Sequence, residues 1–295
     1  MFTLQQLKCF CALARELHYT RAAESLHITQ PTLSYAIGEL QKEVGAPLFK
    51  KEGNQTELTE YGIAFLPHAE RTLAAAHDGK RKIEDMLESD SGNISLGYIY
   101  SVSFNFLPAI VSRFQEEERN RNVSFHFYQG IKDQLLTKLR EGTIDLVIAS
   151  APDAKPIRSA RLFRQELFLV VPKDHPLAKE TSVSLADLKK EKFIFDKPTS
   201  GLRIALDKIF DDTGIKPEIA YEVEECNAMV AFVSTRQGVA VMPKIPLMKT
   251  YDVELVRISN PTPFRYINLL WNEDMPMSPI VERFKENILS LEKTN

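Results

Sequence analysis

The side chains able to support covalent or acid–base chemistry are scattered through this 295-residue sequence. The histidines His18, His27, His68, His77, His126 and His175 form no HExxH motif and no other close ligand spacing, so no metal centre is indicated. Cys9 and Cys11 stand on different sides of any helix that holds them, and Cys226 is remote. Three cysteines so placed make neither a disulfide framework nor a zinc site nor a CxxC redox pair. The GxSxG, Walker A and GxGxxG patterns are missing, and Phe193 and Phe195 read as core rather than as a stacking platform. Neither an enzyme nor a bound cofactor is expected. What remains is recognition chemistry, carried by hydroxyl, amide and basic groups at the ends of helices and strands.

Composition narrows the partners. With 44% hydrophobic and 26% charged residues, the chain can fill folded cores and has no bias towards disorder. It shows no signal-peptide pattern and no run approaching the roughly 20 apolar residues that span a bilayer, so a soluble protein of the reducing cytoplasm, without a membrane partner, is expected. A net charge of -3 and a pI near 6.1 argue against coating nucleic acid with bulk positive charge. Any contact with DNA must be local.

The elements that position such groups can be read at the front of the chain. Leu4, Leu7, Phe10, Leu13, Ala14 and Leu17 recur at helical spacing. Thr20 is the expected cap of a short second helix through Leu26, with small residues where another helix can approach. Thr29 caps a third helix that tolerates Pro31 in its first turn and buries Leu33, Ile37, Leu40 and Val44. Gly45 ends it. Residues 47–56 then read as a small hairpin, with Gly53 and Asn54 supplying the turn.

The run AAESLHITQPTLSYAIGELQKEVGAPLF, followed by ELTEYG, resembles the winged helix-turn-helix of the LysR-type transcriptional regulators. The resemblance implies that the third helix enters the major groove of double-stranded DNA, with Gln30, Pro31, Thr32, Ser34 and Tyr35 at or near base edges. It adds Thr20, Arg21, Thr29, Lys50, Lys51 and Asn54 as further DNA contacts. The residue types suit base reading, since Gln pairs with adenine through two hydrogen bonds, and Ser and Thr both donate and accept. The chain departs from the family pattern at Lys51 and Asn54, where arginine is frequent, at Tyr35, and at Gln41, where glutamate is frequent.

Thr59 caps a predicted long helix to about Glu88, with Leu66, Ala69, Leu73, Ala76, Ile83 and Leu87 stepping by three and four and Pro67 expected to kink or fray it. In the family this element is the dimerisation linker, which implicates Leu66, Leu73, Ile83 and Leu87 in a homodimer or homotetramer; the alternative is a stripe packed on its own domain. The expected organisation is α/β, with an α-rich winged helix-turn-helix over 1–58, the linker over 59–90 and a two-lobed domain over 91–295. Strands and helices alternate in that last segment, giving a parallel βαβαβ unit from Ile94 to Ala149 and a second unit from Leu167 to Met242. Ile267 to Trp271 and a helix near 278–291 return to the first lobe. The lobes are assigned to 91–162 with 267–295, and to 163–266.

The order of elements resembles the periplasmic-binding-protein-like effector domain of the same family, with GTIDLVIA and RQGVAVMP as matching segments. Ligands of open α/β sheets sit beyond strand C-termini, where helix N-termini present free N–H groups. Tyr100, Ser101, Ser103, Gln129, Lys197, Thr199, Ser200 and Asn227 occupy such ends, pointing to a small anionic effector. The sequence thus reads as a DNA-binding regulator under effector control. A solute-sensing module whose front segment meets only proteins is the alternative.

Overall fold

Thr3 opens α1 (Leu4–Glu16) with a capping box closed by Gln6. The computed structural model describes residues 1–52, 55–87, 92–150 and 155–291. Leu7, Phe10 and Leu13 form the buried stripe of α1. Leu4, in the first turn, is exposed, and so is Leu17, which turns into a left-handed conformation that ends the helix. The expected Thr20 cap is corrected: His18, extended, accepts a hydrogen bond from the Arg21 amide through Nδ1 at 3.4 Å, so α2 (Tyr19–Ser25) starts one residue before Thr20. Thr29 does cap α3 (Gln30–Val44), and Gly45 at φ 78 closes it.

Gln41 ties α3 to the hairpin beyond it. Its Oε1 accepts from the amides of Leu48 and Phe49 at 2.7 and 3.1 Å, fixing the entry to the antiparallel pair of β1 (Phe49–Glu52) and β2 (Gln55–Leu58). Asn54 and Gly53 lie outside the described residues. Thr59 caps α4 (Glu60–Leu87) by accepting from the Gly62 amide at 3.0 Å. The helix continues through Pro67 rather than fraying there.

Two compact units result, Met1–Glu84 and Asp85–Asn295. In the first, Phe10, Leu33, Ile37, Leu40 and Leu48 fill a core against which Leu66 and Leu73 also pack, with Ala69 fully buried. Leu66 and Leu73, expected in a dimer seam, are thus partly buried against the core of their own unit. Ile83 and Leu87 are exposed.

The second unit runs β3 (Gly92–Tyr98), α5 (Phe106–Glu116), β4 (Val123–Gln129), α6 (Lys132–Arg140) and β5 (Leu146–Ala149), then β6 (Ile157–Pro172), β7 (Ser182–Ser184), β8 (Lys192–Asp196), α7 (Gly201–Thr213), β9 (Glu218–Val223), α8 (Cys226–Ser234), β10 (Ala240–Pro243), β11 (Val253–Asn260), β12 (Phe264–Asn272) and α9 (Pro279–Ser290). β3 pairs in parallel with both β4 and β5, as two βα crossovers require. The strand expected near Leu167 is the end of the 16-residue β6, which runs through the assigned boundary at 162/163. β12 lies antiparallel to both β5 and β6, so one sheet, in the order β4-β3-β5-β12-β6-β11-β7, serves both lobes. β7 and β11 have no counterpart among the strands expected from the sequence.

Each lobe keeps its own core. Phe114, Phe284, Ile110 and Ile280 lie under the first, returning α9 to it as expected. Phe193, Phe195, Phe210 and Met229 lie under the second, and both predicted core phenylalanines are fully buried.

Candidate functional site

Two sites can be built, one in each unit. On α3 the positions facing away from Leu33, Ile37 and Leu40 are open: Gln30, Pro31, Thr32, Ser34 and Tyr35 are all exposed, Tyr35 by 72%. The Thr29 and Thr32 hydroxyls bond each other at 2.8 Å, so both serve the helix start as well as standing at its surface. Arg21 donates to the Glu16 carbonyl at 3.0 Å and lies 3.7 Å from its carboxylate. In the hairpin, Lys50 faces Glu57 across the strands at 3.3 Å, whereas Lys51 is exposed. This surface offers amide, hydroxyl and aromatic groups on a rigid helix with few uncommitted cations.

The second site is a cleft at the strand C-termini between the two lobes. Ile99, Tyr100 and Ser101 follow β3, Ser150 follows β5, and Asp196 ends β8. The N-termini of α6, α7 and α8 bring Lys132, Ser200 with Gly201, and Glu225 with Cys226, and Arg265 reaches in from β12. These segments meet because parallel crossovers put every helix start at the same end of the sheet.

Arg265 dominates the floor. It is 7% exposed, and donates from Nη2 to Ser101 Oγ at 2.7 Å and from Nε to Gln165 Oε1 at 2.9 Å. Both partners are neutral. Burial pulls its pKa below the usual guanidinium range. Lys132 is equally buried and has no hydrogen bond or ion pair among the described residues.

Asp196 is an organiser. Its carboxylate accepts from the Lys197 amide at 3.0 Å, from the Ser200 hydroxyl and from the Glu225 amide, tying the starts of α7 and α8 together. Burial nevertheless raises its pKa. Cys226 is pushed up to about 12 by burial, which outweighs the nearby Arg265 charge, so it stays a thiol at neutral pH.

The predicted effector residues divide accordingly. Tyr100, Ser101 and Ser200 line the cleft. Asn227 lies outside the lining but is hydrogen-bonded to the Tyr100 phenol, which belongs to it. Gln129 donates to Glu225 Oε1 at 3.1 Å, bridging the lobes. Ser103, Lys197 and Thr199 lie outside this lining. The Ser103 hydroxyl donates to the Tyr100 carbonyl, Lys197 is exposed and pairs with Glu224 at 2.6 Å, and Thr199 is exposed outside the lining. Sequence reasoning missed Arg265, Lys132, Ser150, Asp196 and Glu225. Asp196 and Lys132, at a strand end and a helix start, could have been found by the rule that found Ser200. Arg265, at the beginning of an antiparallel strand, could not.

Comparison with known proteins decides what this pair of sites belongs to. Residues 4–63 match the bacterial regulatory helix-turn-helix of the LysR family, and residues 87–291 match the LysR substrate binding domain. The chain belongs to the LysR family. It is a LysR-type transcriptional regulator with an effector-binding domain, and not an enzyme. Across 97% of its length it is 35% identical to the uncharacterised HTH-type transcriptional regulator YybE of Bacillus subtilis, covering 98% of that protein. It is 28% identical to the transcriptional dual regulator GltC of the same organism, over 97% of this chain and 96% of GltC. Among solved structures it resembles the effector binding domain of QuiR in complex with shikimate (36% identity, TM-score 0.67, 70% of this chain and 99% of that one). It also shares the fold of full-length CbnR complexed with its target DNA (24% identity, TM-score 0.72, 98% of this chain and 100% of that one). Among the described residues, no helix of this LysR-family chain is long and apolar enough to cross a membrane.

Proposed function

We propose that this regulator reads operator DNA with the outward face of α3, through Gln30, Pro31, Thr32, Ser34 and Tyr35, and steadies itself on phosphates through Thr20, Arg21, Thr29, Lys50, Lys51 and Asn54. Base-edge contacts supply the specificity and phosphate contacts the register. It acts as a homo-oligomer, for which the exposed Ile83 and Leu87 at the end of α4 offer apolar surface. Its effector is a small anion held in the interlobe cleft.

One observation carries the effector reading. Arg265 is a buried guanidinium without an acidic partner in hydrogen-bond or ion-pair contact, and Lys132 stands beside the same cleft without a partner among the described residues. Asp196 acts on Arg265 electrostatically without bonding it; burying a cation with no directly paired acid is costly, and a carboxylate entering from solvent offsets part of that cost. The similarity to the QuiR effector domain, whose ligand shikimate is a carboxylate, supports the same reading. The ligand acts as a switch only by binding one arrangement of the lobes more tightly than another.

The test has two arms. Footprinting on the DNA upstream of its own gene is expected to show protection that Gln30→Ala and Ser34→Ala together weaken at least tenfold, each base contact being worth about 1–3 kcal/mol. A thermal-shift screen of small carboxylates is expected to find compounds that raise the Tm of the wild type and leave Arg265→Met unmoved. Absence of protection at low salt would sink the first arm, and an undiminished shift in Arg265→Met the second.

A further inference from the structure

We infer that the effector is a hydroxylated carboxylate, an acid that presents O–H donors to the cleft besides its anionic end. The inference rests on the anion reading above and adds the chemistry of the rest of the ligand. The cleft is not a simple basic pocket: Lys132 and Arg265 share its lining with Asp196 and Glu225. A plain monocarboxylate would place a third negative group among two cations and two acids, gaining at one end and meeting like charge at the other. A ligand that offers hydrogen-bond donors beyond its carboxylate turns those acids into partners.

Acceptors are available where such donors would arrive. Glu225 receives one hydrogen bond, from Gln129 at 3.1 Å, although a carboxylate has roughly four acceptor sites. Ser150 Oγ is buried, belongs to the cleft lining and has no partner among the described residues. Behind the lining, on the side chain that bonds the Tyr100 phenol, Asn227 Oδ1 is also buried and unpartnered, and an amide oxygen only accepts. The opposite wall is kept close to Ser150: a Cβ built on Gly201 would lie 1.9 Å from Ser150 Oγ, so the first turn of α7 approaches that hydroxyl as only glycine allows.

Hydroxyls fit this set better than an ammonium group. Asp196 is already engaged by two amides and a hydroxyl, which leaves Glu225 as the acid with spare capacity. A desolvated ammonium needs three acceptors and a counter-charge, whereas each hydroxyl is satisfied by one.

The test is isothermal calorimetry on the full chain with shikimate and glycerate as hydroxylated acids, benzoate as the plain acid, phenylalanine as the amino acid and inositol as the neutral polyol. The better of the two hydroxylated acids is expected to bind at least tenfold more tightly than benzoate, phenylalanine or inositol. Ser150→Ala is expected to weaken that acid about three- to tenfold and to leave benzoate unchanged, with the ligand-free Tm reporting that the variant is folded. Benzoate equal to the better hydroxylated acid, phenylalanine tighter than it, or no binding by shikimate and glycerate alike would each overturn the hydroxyl inference. The first two leave the anion reading standing provided Arg265→Met abolishes binding. Inositol binding that persists in Arg265→Met would overturn both.

Discussion

Burial sets the chemistry of the three cysteines. Desolvation raises the pKa of Cys9, lifts Cys11 to about 11 and lifts Cys226 to about 12, so the reactive thiolate is disfavoured at each position in the folded chain. Iodoacetamide at pH 8 is therefore expected to leave all three unmodified in the native protein while alkylating them in urea, as read by mass spectrometry; rapid native labelling of Cys226 would contradict its burial. The sign of the pH linkage follows from the same shift. A thiol whose folded pKa lies above its unfolded 9.0 contributes stability that is complete below pH 9 and is lost as the pH climbs towards about 12. Sequence alone excluded a CxxC pair and a disulfide framework, but it could not reveal how a buried Arg265 charge and the desolvation of Cys226 balance. Residue type gives the group, and its neighbours give the ionisation state.

Among the elements, α4 illustrates how local rules and tertiary packing share the outcome. Thr59 caps it as its type and position predict, and the Thr59 hydroxyl also donates to the Pro47 carbonyl at 2.6 Å, seating the helix on the entry to the hairpin. The seat leaves no room at Gly62, where a Cβ would fall 2.1 Å from the Leu48 carbonyl oxygen. Gly62→Ala is expected to destabilise the first unit by about 1–3 kcal/mol, because a backbone atom must move. Gly79→Ala in the same helix meets nothing within 4 Å and is expected to stabilise it by about 0.5–1 kcal/mol. Urea denaturation of both variants checks the opposite signs; equal effects would mean that helix propensity rather than docking governs α4. Periodicity located this helix but not the neighbour of each turn. Leu66 and Leu73 are spaced like a seam to a second chain and nevertheless pack on the core beneath them. The start of α2 differs from expectation for a related reason: Thr20 is the better capping residue by type, but Leu17 ends α1 in a left-handed conformation and leaves His18 as the residue in position to cap.

At the scale of the whole molecule, two units with separate cores carry the two roles. Scanning calorimetry is expected to resolve two transitions, with a cognate carboxylate raising the upper or lower one alone, whichever belongs to the effector-binding unit. A shift of both by the same amount would show that the units unfold together. The amino-acid order by itself determined the helix-turn-helix, its caps at Thr29 and Gly45, the hairpin, the parallel βαβαβ unit and the family, because these depend on neighbours within a few turns or on a contiguous pattern. It also placed Tyr100, Ser101 and Ser200 at the cleft, since strand ends and helix starts are local features. Only the tertiary structure decided that Arg265, at the beginning of β12, meets Ser101 across 164 positions of sequence, that Ser103 bonds the Tyr100 carbonyl and Lys197 pairs with Glu224, and that one sheet serves both lobes. The physical reason is that a strand's inward side and its register are fixed by the partners it pairs with, and those partners lie far away along the chain.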